Sequence, residues 1–184
     1  KFGNFRELNV INDSTAWLVA DRGDLSYLIS SSDRGENWSI RYACNCSLSN
    51  LHFVSPTAGW AVGTEGTVLQ TRDGGSTWVE LGVPTRESLY VVTVNEDNTV
   101  WIVGKGGTIL NSKDDGKTWD VYEYPRRIAF TGIGFVDKAR GCIVGFRTVL
   151  ITDDSGVTWK ERDSSEWWHL GPIFVHREWG WIAA

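Results

Sequence analysis

The sequence TRDGGSTW at residues 71–78 decides the fold, because the chain contains its pattern four times. The other copies are SSDRGENW at 31–38, SKDDGKTW at 112–119 and TDDSGVTW at 152–159. All four octets fit Ser/Thr-x-Asp-x-Gly-x-x-Trp, and their closing tryptophans recur every 40 or 41 residues. A regular period of this length predicts a repeat architecture in which each period is one supersecondary unit.

Each octet has the composition of a tight turn between two strands. The aspartate is expected to accept hydrogen bonds from backbone N–H groups a residue or two ahead, and the Ser/Thr hydroxyl offers a second local bond. The glycine permits a positive φ, and the tryptophan begins the next strand with a large apolar side chain. Because turn chemistry explains every copy, we interpret as structural the residues Asp33, Asp73, Asp114, Asp154, Gly35, Gly75, Gly116, Gly156, Trp38, Trp78, Trp119 and Trp159.

A second signature precedes each octet, as in AWLVA, GWAVG, VWIVG, GCIVG and GWIAA. Its second residue is Trp17, Trp60, Trp101, Cys142 or Trp181, and an apolar residue stands seven positions earlier: Val10, Phe53, Val94, Phe135 or Phe174. The interval fits a strand, a short turn and a second strand. With a third strand, the octet and a fourth strand, each unit becomes an antiparallel meander of about 40 residues, the length of a propeller blade.

The sequence therefore predicts an all-β chain with four complete blades and half of a fifth. We expect one propeller domain over residues 1–184, with blades near 4–45, 46–84, 85–124 and 125–163 and a partial blade at 164–184. The first strands are expected to line the central axis. A partial blade leaves strand edges that need a cover, so we predict a larger ring that another chain or further C-terminal blades complete.

Composition and cysteine usage narrow the classes of function. A formal net charge of −5 argues against nucleic acid or an anionic membrane as the main partner. No apolar run approaches the roughly 18 residues of a spanning helix. Cys44 and Cys46 form a C-x-C pair and Cys142 stands alone, which fits neither a zinc knuckle nor a complete disulfide framework and leaves their redox state open. We predict no catalytic residue, no cofactor and no metal.

The stretch GWAVGTEGTVLQTRDGGSTW at 59–78, repeated from blade to blade, resembles the repeat of the photosystem II assembly/stability factor family of β-propellers. The resemblance implies a seven-bladed ring. This chain, with four and a half predicted blades, departs from that number. It also implies export to the periplasm or thylakoid lumen, and a non-enzymatic assembly or scaffold function. The partner would be a protein client such as an assembly intermediate of a membrane protein.

A secreted propeller that binds or hydrolyses carbohydrate is the alternative, because sialidases also contain such octets. Sialidases further need an arginine triad, a tyrosine nucleophile with a glutamate partner, and an Arg-Ile-Pro type marker near the first blade. No such marker occurs, and PRRI at 125–128 has a different order. Glycan binding would favour this alternative, whereas a photosynthetic source would favour the assembly factor.

Charged residues are unevenly distributed between the two kinds of loop that a four-stranded blade presents. Linkers into first strands and loops between second and third strands emerge on one side, and they contain Arg6, Arg22, Arg86, Lys105, Arg126, Arg127 and Arg147. Octets and first-to-second turns emerge on the other side and are rich in aspartate. We predict a partner-binding surface formed by Arg86, Lys105, Arg126, Arg127 and Arg147, with Arg86 close to the Arg126–Arg127 pair and Trp167 and Trp168 as aromatic contacts. Since Asp21, Asp24, Glu65 and Glu87 share these loops, ordinary solvated charge is the alternative.

Overall fold

Antiparallel strands follow one another along the chain, four to each sequence period. The computed structural model describes residues 3–162, 173–176 and 180–183. The first sheet contains β1 (Asn4–Val10), β2 (Ala16–Arg22), β3 (Leu25–Ser31) and β4 (Ser39–Cys44). The second contains β5 (Leu48–Phe53), β6 (Gly59–Gly63), β7 (Val68–Thr71) and β8 (Val79–Glu80).

Two further sheets and one strand pair continue the same order. The third sheet contains β9 (Leu89–Val94), β10 (Val100–Gly104), β11 (Thr108–Ser112) and β12 (Asp120–Glu123). The fourth contains β13 (Phe130–Phe135), β14 (Gly141–Gly145), β15 (Thr148–Thr152) and β16 (Lys160–Arg162), and the pair is β17 (Ile173–His176) with β18 (Gly180–Ala183). The all-β prediction of four four-stranded antiparallel sheets is confirmed. The two 3-10 turns, Thr64–Gly66 and Lys105–Gly107, are short, and no helix in the described residues could cross a membrane.

The chain forms two compact units, Lys1–Val92 and Thr93–Ala184, with the boundary inside β9. The first unit holds the first two sheets. The second unit holds most of the third sheet, the fourth sheet and the strand pair. The single domain and blade limits expected from the sequence stay a prediction.

Within the first unit, the core lies between the two sheets. Trp17 and Leu28 of the first sheet and Leu51, Phe53 and Leu69 of the second belong to one buried cluster. Directly opposed residues of an antiparallel pair share a face, and Leu51 opposes Ala61, which in turn opposes Leu69. The second sheet therefore presents one apolar row to its neighbour.

The signature tryptophan belongs to the interface between successive sheets. In the first unit, the Trp17 ring stacks on Phe53 of the next sheet at 5.1 Å and meets the edge of Trp78 at 5.8 Å. In the second unit, Trp101 lies 5.4 Å from Phe135 and 5.7 Å from Trp159. The same three-ring group thus joins two pairs of sheets.

The octet glycine makes room for this tryptophan. Gly75 has a φ of +80°, and a Cβ built on it would lie 2.1 Å from the Trp17 ring. Gly156 repeats the arrangement against Trp101, with a φ of +78° and 2.2 Å. At Gly35 of the first sheet, φ is +87° but the nearest atom is 3.7 Å away, in Trp38 of the same octet. In the second and fourth sheets the octet glycine therefore combines a left-handed φ with a close ring, whereas in the first sheet it has only the left-handed φ.

The outer face of the first sheet is apolar and open. Three side chains of β1 are more than half exposed: Phe5 at 60%, Leu8 at 56% and Val10 at 65%. Their equivalents in β5, namely Leu48, Leu51 and Phe53, are 0%, 1% and 9% exposed. That another chain or further blades complete a ring stays a prediction.

The fifth hairpin departs from the repeat. Trp17 opposes Asn9 and Cys142 opposes Gly134, each eight positions earlier, whereas Trp181 opposes Val175, only six positions earlier. The cause is a connection of three residues between β17 and β18, where the other hairpins have five. The expected equivalence of Phe174 with Phe135 is therefore wrong.

Candidate functional site

Linkers into the first strands contact loops that join second to third strands, and we call both together the linker-side loops. In the first unit, the Thr64 amide donates to the Ser47 carbonyl at 2.9 Å, and the Gly66 amide donates to the Glu87 carbonyl at 3.1 Å. These bonds connect the loop after β6 to the linkers before and after its own sheet. The linker-side loops of this unit therefore lie together, as the sequence predicts.

The second unit builds its linker-side loops in the same way. The Gly107 amide donates to the Ile128 carbonyl at 2.6 Å, and the Phe146 amide donates to the Ala129 carbonyl at 3.3 Å. The linker around residues 126–129 thus contacts the loops of both the third and the fourth sheet.

The octets meet the first-to-second turns of their own sheets on the other side. In three sheets, the residue before the octet glycine donates its amide to a carbonyl of that turn: Arg34 to Ser14 at 3.0 Å, Gly74 to Thr57 at 2.9 Å and Ser155 to Ala139 at 2.9 Å. These contacts agree with the predicted grouping of octets and turns.

The aspartate is the central acceptor of each octet. In the second sheet, Oδ1 of Asp73 accepts the Thr77 amide at 2.9 Å and the Thr71 hydroxyl at 2.9 Å, and Oδ2 accepts the Thr77 hydroxyl at 2.7 Å. The Thr71 hydroxyl oxygen in turn accepts the Gly75 amide at 2.8 Å. The aspartate therefore reaches four residues ahead and not one or two, because Gly74 and Gly75 both have a positive φ and turn the chain back. Equivalent bonds surround Asp33, Asp114 and Asp154.

These hydrogen bonds keep the octet carboxylates ionised. The side chain and then the backbone amide of Thr158 are the main causes that lower the pKa of Asp154 to about 2. Donors to a carboxylate stabilise its charged form, and the pKa of Asp114 is likewise about 2. An acid of this strength does not hold a proton for general acid catalysis near neutral pH. Among the described residues, no group of His, Cys, Asp or Glu side chains is arranged to hold a metal ion.

Replacing Asp154 with asparagine tests this role. Its folded pKa of about 2 lies below the roughly 3.9 of an unfolded aspartate. The ionised group therefore stabilises the fold above about pH 4, and this contribution is lost as pH falls toward 2. We expect Asp154→Asn to melt lower than the wild type at pH 7, with a difference that shrinks between pH 4 and pH 2 in a calorimetric series.

Asp153 is a matched control, because its exposed carboxylate lies 3.4 Å from Lys160 and outside the octet bonds. Asp153→Asn removes the same charge and should leave the melting temperature close to that of the wild type at pH 7. Equal melting curves for the two variants throughout this pH range would contradict the structural role.

In the first unit, Arg86 is exposed in the linker that leads to β9. Arg6 and Arg22, expected in loops, lie instead on β1 and β2. Arg6 forms an ion pair with Asp21, so its charge is already balanced by a neighbour. Arg86 is therefore the linker-side arginine of this unit that is best placed to meet a partner.

In the second unit, Arg126 is part of a local polar cluster. Its guanidinium forms an ion pair with Glu161 and donates to the Tyr124 hydroxyl at 2.6 Å and the Thr148 hydroxyl at 3.3 Å. It also lies 5.5 Å from the centre of the Tyr124 ring. Both charged side chains are about half exposed, and surface pairs of this kind are weak. An anionic partner can therefore compete with Glu161 for Arg126.

The remaining predicted basic residues of this unit are exposed in the same loops: Lys105, Arg127 and Arg147. Beside Arg147 lies Phe146, an exposed aromatic side chain that sequence reasoning missed. The signal was an aromatic residue where the second and third sheets have Thr64 and Lys105. Trp167 and Trp168 lie outside the described residues. The expected closeness of Arg86 to the arginine pair stays a prediction.

The cysteines resolve into a bonded pair and a buried thiol. Cys44 and Cys46 form a disulfide across one intervening residue. Cys142 is buried at the signature position of β14, and burial raises the pKa of its thiol to about 12. The sequence had left this pairing open.

Four-stranded antiparallel sheets with a 40- or 41-residue period, each containing an aspartate-centred octet, define a repeat protein of the β-propeller type. A family model described as "Photosynthesis system II assembly factor YCF48" matches residues 40–129. The family resemblance predicted from the sequence is therefore confirmed, since residues 40–129 are similar to the repeats of the YCF48 type of photosystem II assembly factor. No match was found among curated proteins.

Solved structures support the same fold. A structure of YCF48 bound to D1 peptide aligns with a TM-score of 0.55 at 15% identity, covering 85% of this chain and 80% of that one. YCF48 from Cyanidioschyzon merolae aligns with a TM-score of 0.54 at 14% identity, covering 97% and 91%. An ancestral GH74 enzyme aligns with a TM-score of 0.74 at 15% identity, covering 96% of this chain but 28% of the enzyme. At these identities the likeness shows the fold alone.

Proposed function

We propose that this chain is a non-enzymatic assembly or scaffold protein that binds a protein client through its linker-side loops. The family match over residues 40–129 carries the proposal. It is supported by the similar fold of YCF48, which has been solved with a D1 peptide bound. The process in which we propose that the chain acts is the assembly of photosystem II, as the description of the matching family indicates.

The chemistry of the linker-side loops suits an acidic or carboxylate-bearing client. Arg86, Arg126 and Arg127 are exposed there, and a guanidinium can grip a carboxylate through two parallel hydrogen bonds. Basic loops in each unit of a chain of net charge −5 would act mainly by speeding encounter with an oppositely charged partner.

A double charge reversal, Arg86→Glu with Arg127→Glu, tests this surface with the D1 peptide as the probe. Arg126 is kept because its loss would remove the ion pair with Glu161 and the hydrogen bonds to Tyr124 and Thr148. We expect association to slow by about tenfold at low salt, with the difference shrinking as salt screens the charges.

The matched control reverses two exposed lysines of the third octet, Lys113→Glu with Lys117→Glu. It changes net charge equally but on the other side of the blade, so peptide association should stay near the wild-type rate. Equal affinities of the wild type and the arginine variant at low salt would overturn the proposed surface.

We also propose export to an oxidising compartment and membership of a larger ring. The Cys44–Cys46 disulfide supports export, because disulfides persist mainly in oxidising surroundings. The open apolar face of β1 supports a covering partner, and the family resemblance suggests seven blades. Detection of the disulfide in protein taken directly from its source would test the location.

A carbohydrate-active propeller is the second candidate, and one observation favours it. The Tyr124 hydroxyl donates to Oε2 of Glu161 at 2.9 Å with Arg126 adjacent, and sialidases pair a tyrosine nucleophile with a glutamate. Burial, however, raises the pKa of Tyr124, which opposes formation of the nucleophilic phenolate. Hydrolysis of an aryl sialoside by the wild type that is lost in Tyr124→Phe would favour this candidate.

A further inference from the structure

The Cys44–Cys46 disulfide lies where the first sheet ends and the second begins. Cys44 is the last residue of β4, and Cys46 belongs to the linker that leads into β5. The two cysteines are partly exposed, and Asn45 between them is exposed. A dissolved thiol can therefore approach this pair from solvent.

The disulfide does little to hold the chain together. It closes a loop with one intervening residue, and the stabilisation from a disulfide grows with the length of the loop that it closes. Hydrogen bonds already fix the chain that follows it: the Leu48 amide donates to the Ser26 hydroxyl at 3.1 Å, and the Ser47 amide donates to the Thr64 hydroxyl at 3.1 Å. Cys44 is also paired with Ser26 in the sheet. A stabilising role therefore does not explain why this disulfide is present.

We propose that Cys44 and Cys46 form a thiol–disulfide exchange site that accepts two electrons from a dithiol partner. One partner thiolate attacks a sulfur of the pair, the S–S bond breaks, and a mixed disulfide forms with release of one cysteine thiolate. The second thiolate of the partner then attacks the partner's sulfur in that mixed disulfide. This step releases the second cysteine of the pair as a thiolate. The partner ends as a disulfide, and Cys44 and Cys46 end as thiols with the two protons that the partner lost.

The surroundings suit a reversible exchange. Cys44 and Cys46 pack against the buried cluster that contains Trp17, Leu28 and Leu48, and this packing keeps the two sulfurs near each other after reduction. Cys142 is buried in the other unit, so it does not offer a competing exposed thiol. Cys46 lies in one of the linker-side loops, but the exchange chemistry uses none of the arginines of the proposed client-binding surface.

The test uses the full chain and a synthetic peptide with two cysteines as the dithiol probe, in anaerobic buffer. We expect one peptide disulfide to form per protein chain, at least about tenfold faster than without protein. Mass spectrometry after alkylation should then find Cys44 and Cys46 newly modified, and Cys142 modified only after unfolding. The Cys142→Ser variant should behave as the wild type, and the Cys44→Ser, Cys46→Ser double variant should oxidise no peptide.

The change in melting temperature on reduction distinguishes an exchange site from a disulfide that holds the fold together. Reduction of the wild type should lower the melting temperature by less than about 5 °C and leave the β-sheet circular dichroism spectrum intact. A larger fall would overturn the proposal, as would three free thiols in the protein before reduction or a peptide that stays reduced. These outcomes do not depend on D1 peptide binding, so the two proposals can fail separately.

Discussion

Replacing Trp17 with alanine is expected to lower the free energy of unfolding by about 3–5 kcal/mol. Trp17 is 2% exposed and lies against Phe53 and Trp78 of the next sheet. Its loss would leave a cavity between two sheets that packed side chains cannot fill without shifting. Urea unfolding followed by circular dichroism measures the loss.

Trp38 is the matched control, because it is a partly exposed tryptophan of the same unit. Its indole N–H donates to the Gly35 carbonyl of its own octet at 3.0 Å. Trp38→Ala should therefore cost only about 1 kcal/mol, the value of a typical hydrogen bond. Equal losses in the two variants would show that the three-ring group does not hold the sheets together.

The second large effect is expected at Gly75, where an added methyl group would meet the Trp17 ring at 2.1 Å. Gly75→Ala should cost about 2–5 kcal/mol, from roughly 1–2 for a left-handed φ and roughly 1–3 for overpacking. Gly35→Ala is the control, because Gly35 has a similar φ of +87° but its nearest neighbour is 3.7 Å away. It should lose only the conformational part, about 1–2 kcal/mol.

A double-mutant cycle separates these two parts. Removing the indole frees the space that the new methyl group needs, so Trp17→Ala with Gly75→Ala should cost less than the two single losses together. Trp17→Ala with Gly35→Ala should be additive, because the nearest ring to Gly35 is that of Trp38. Additive losses in both pairs would contradict the close contact of Gly75 with Trp17.

The strands could be predicted from the sequence because their signals are local. Octet turns and alternating apolar residues recur within each period, and the turn residues fix where strands begin and end. Which sheet a signature tryptophan packs against is a long-range question, so the contact of Trp17 with Phe53 and Trp78 was not predictable. The disulfide was left open for another reason, because the spacing of Cys44 and Cys46 alone does not show whether they are bonded.

The candidate site was likewise predictable only in part from the sequence. Sequence order predicts the loop in which Arg126 lies, because loops alternate between the two sides of a meander. It does not predict that Arg126 bonds to Glu161, 35 positions later, since this contact depends on how the linker lies against β16. Phe146 was missed for a related reason, because loop residues outside a repeated motif leave no periodic signal.

Cys142 is expected to weaken the coupling between the fourth sheet and the strand pair that follows it. It takes the signature position at which β2, β6 and β10 each carry a tryptophan, and its small side chain packs with Val144 and Val149. In a repeat protein, cooperativity depends on the coupling between neighbouring units, and a thiol buries far less apolar area than an indole. Backbone amides of β17 and β18 would therefore exchange with deuterium through partial opening, while those of β13 to β15 would exchange only when the second unit unfolds as a whole.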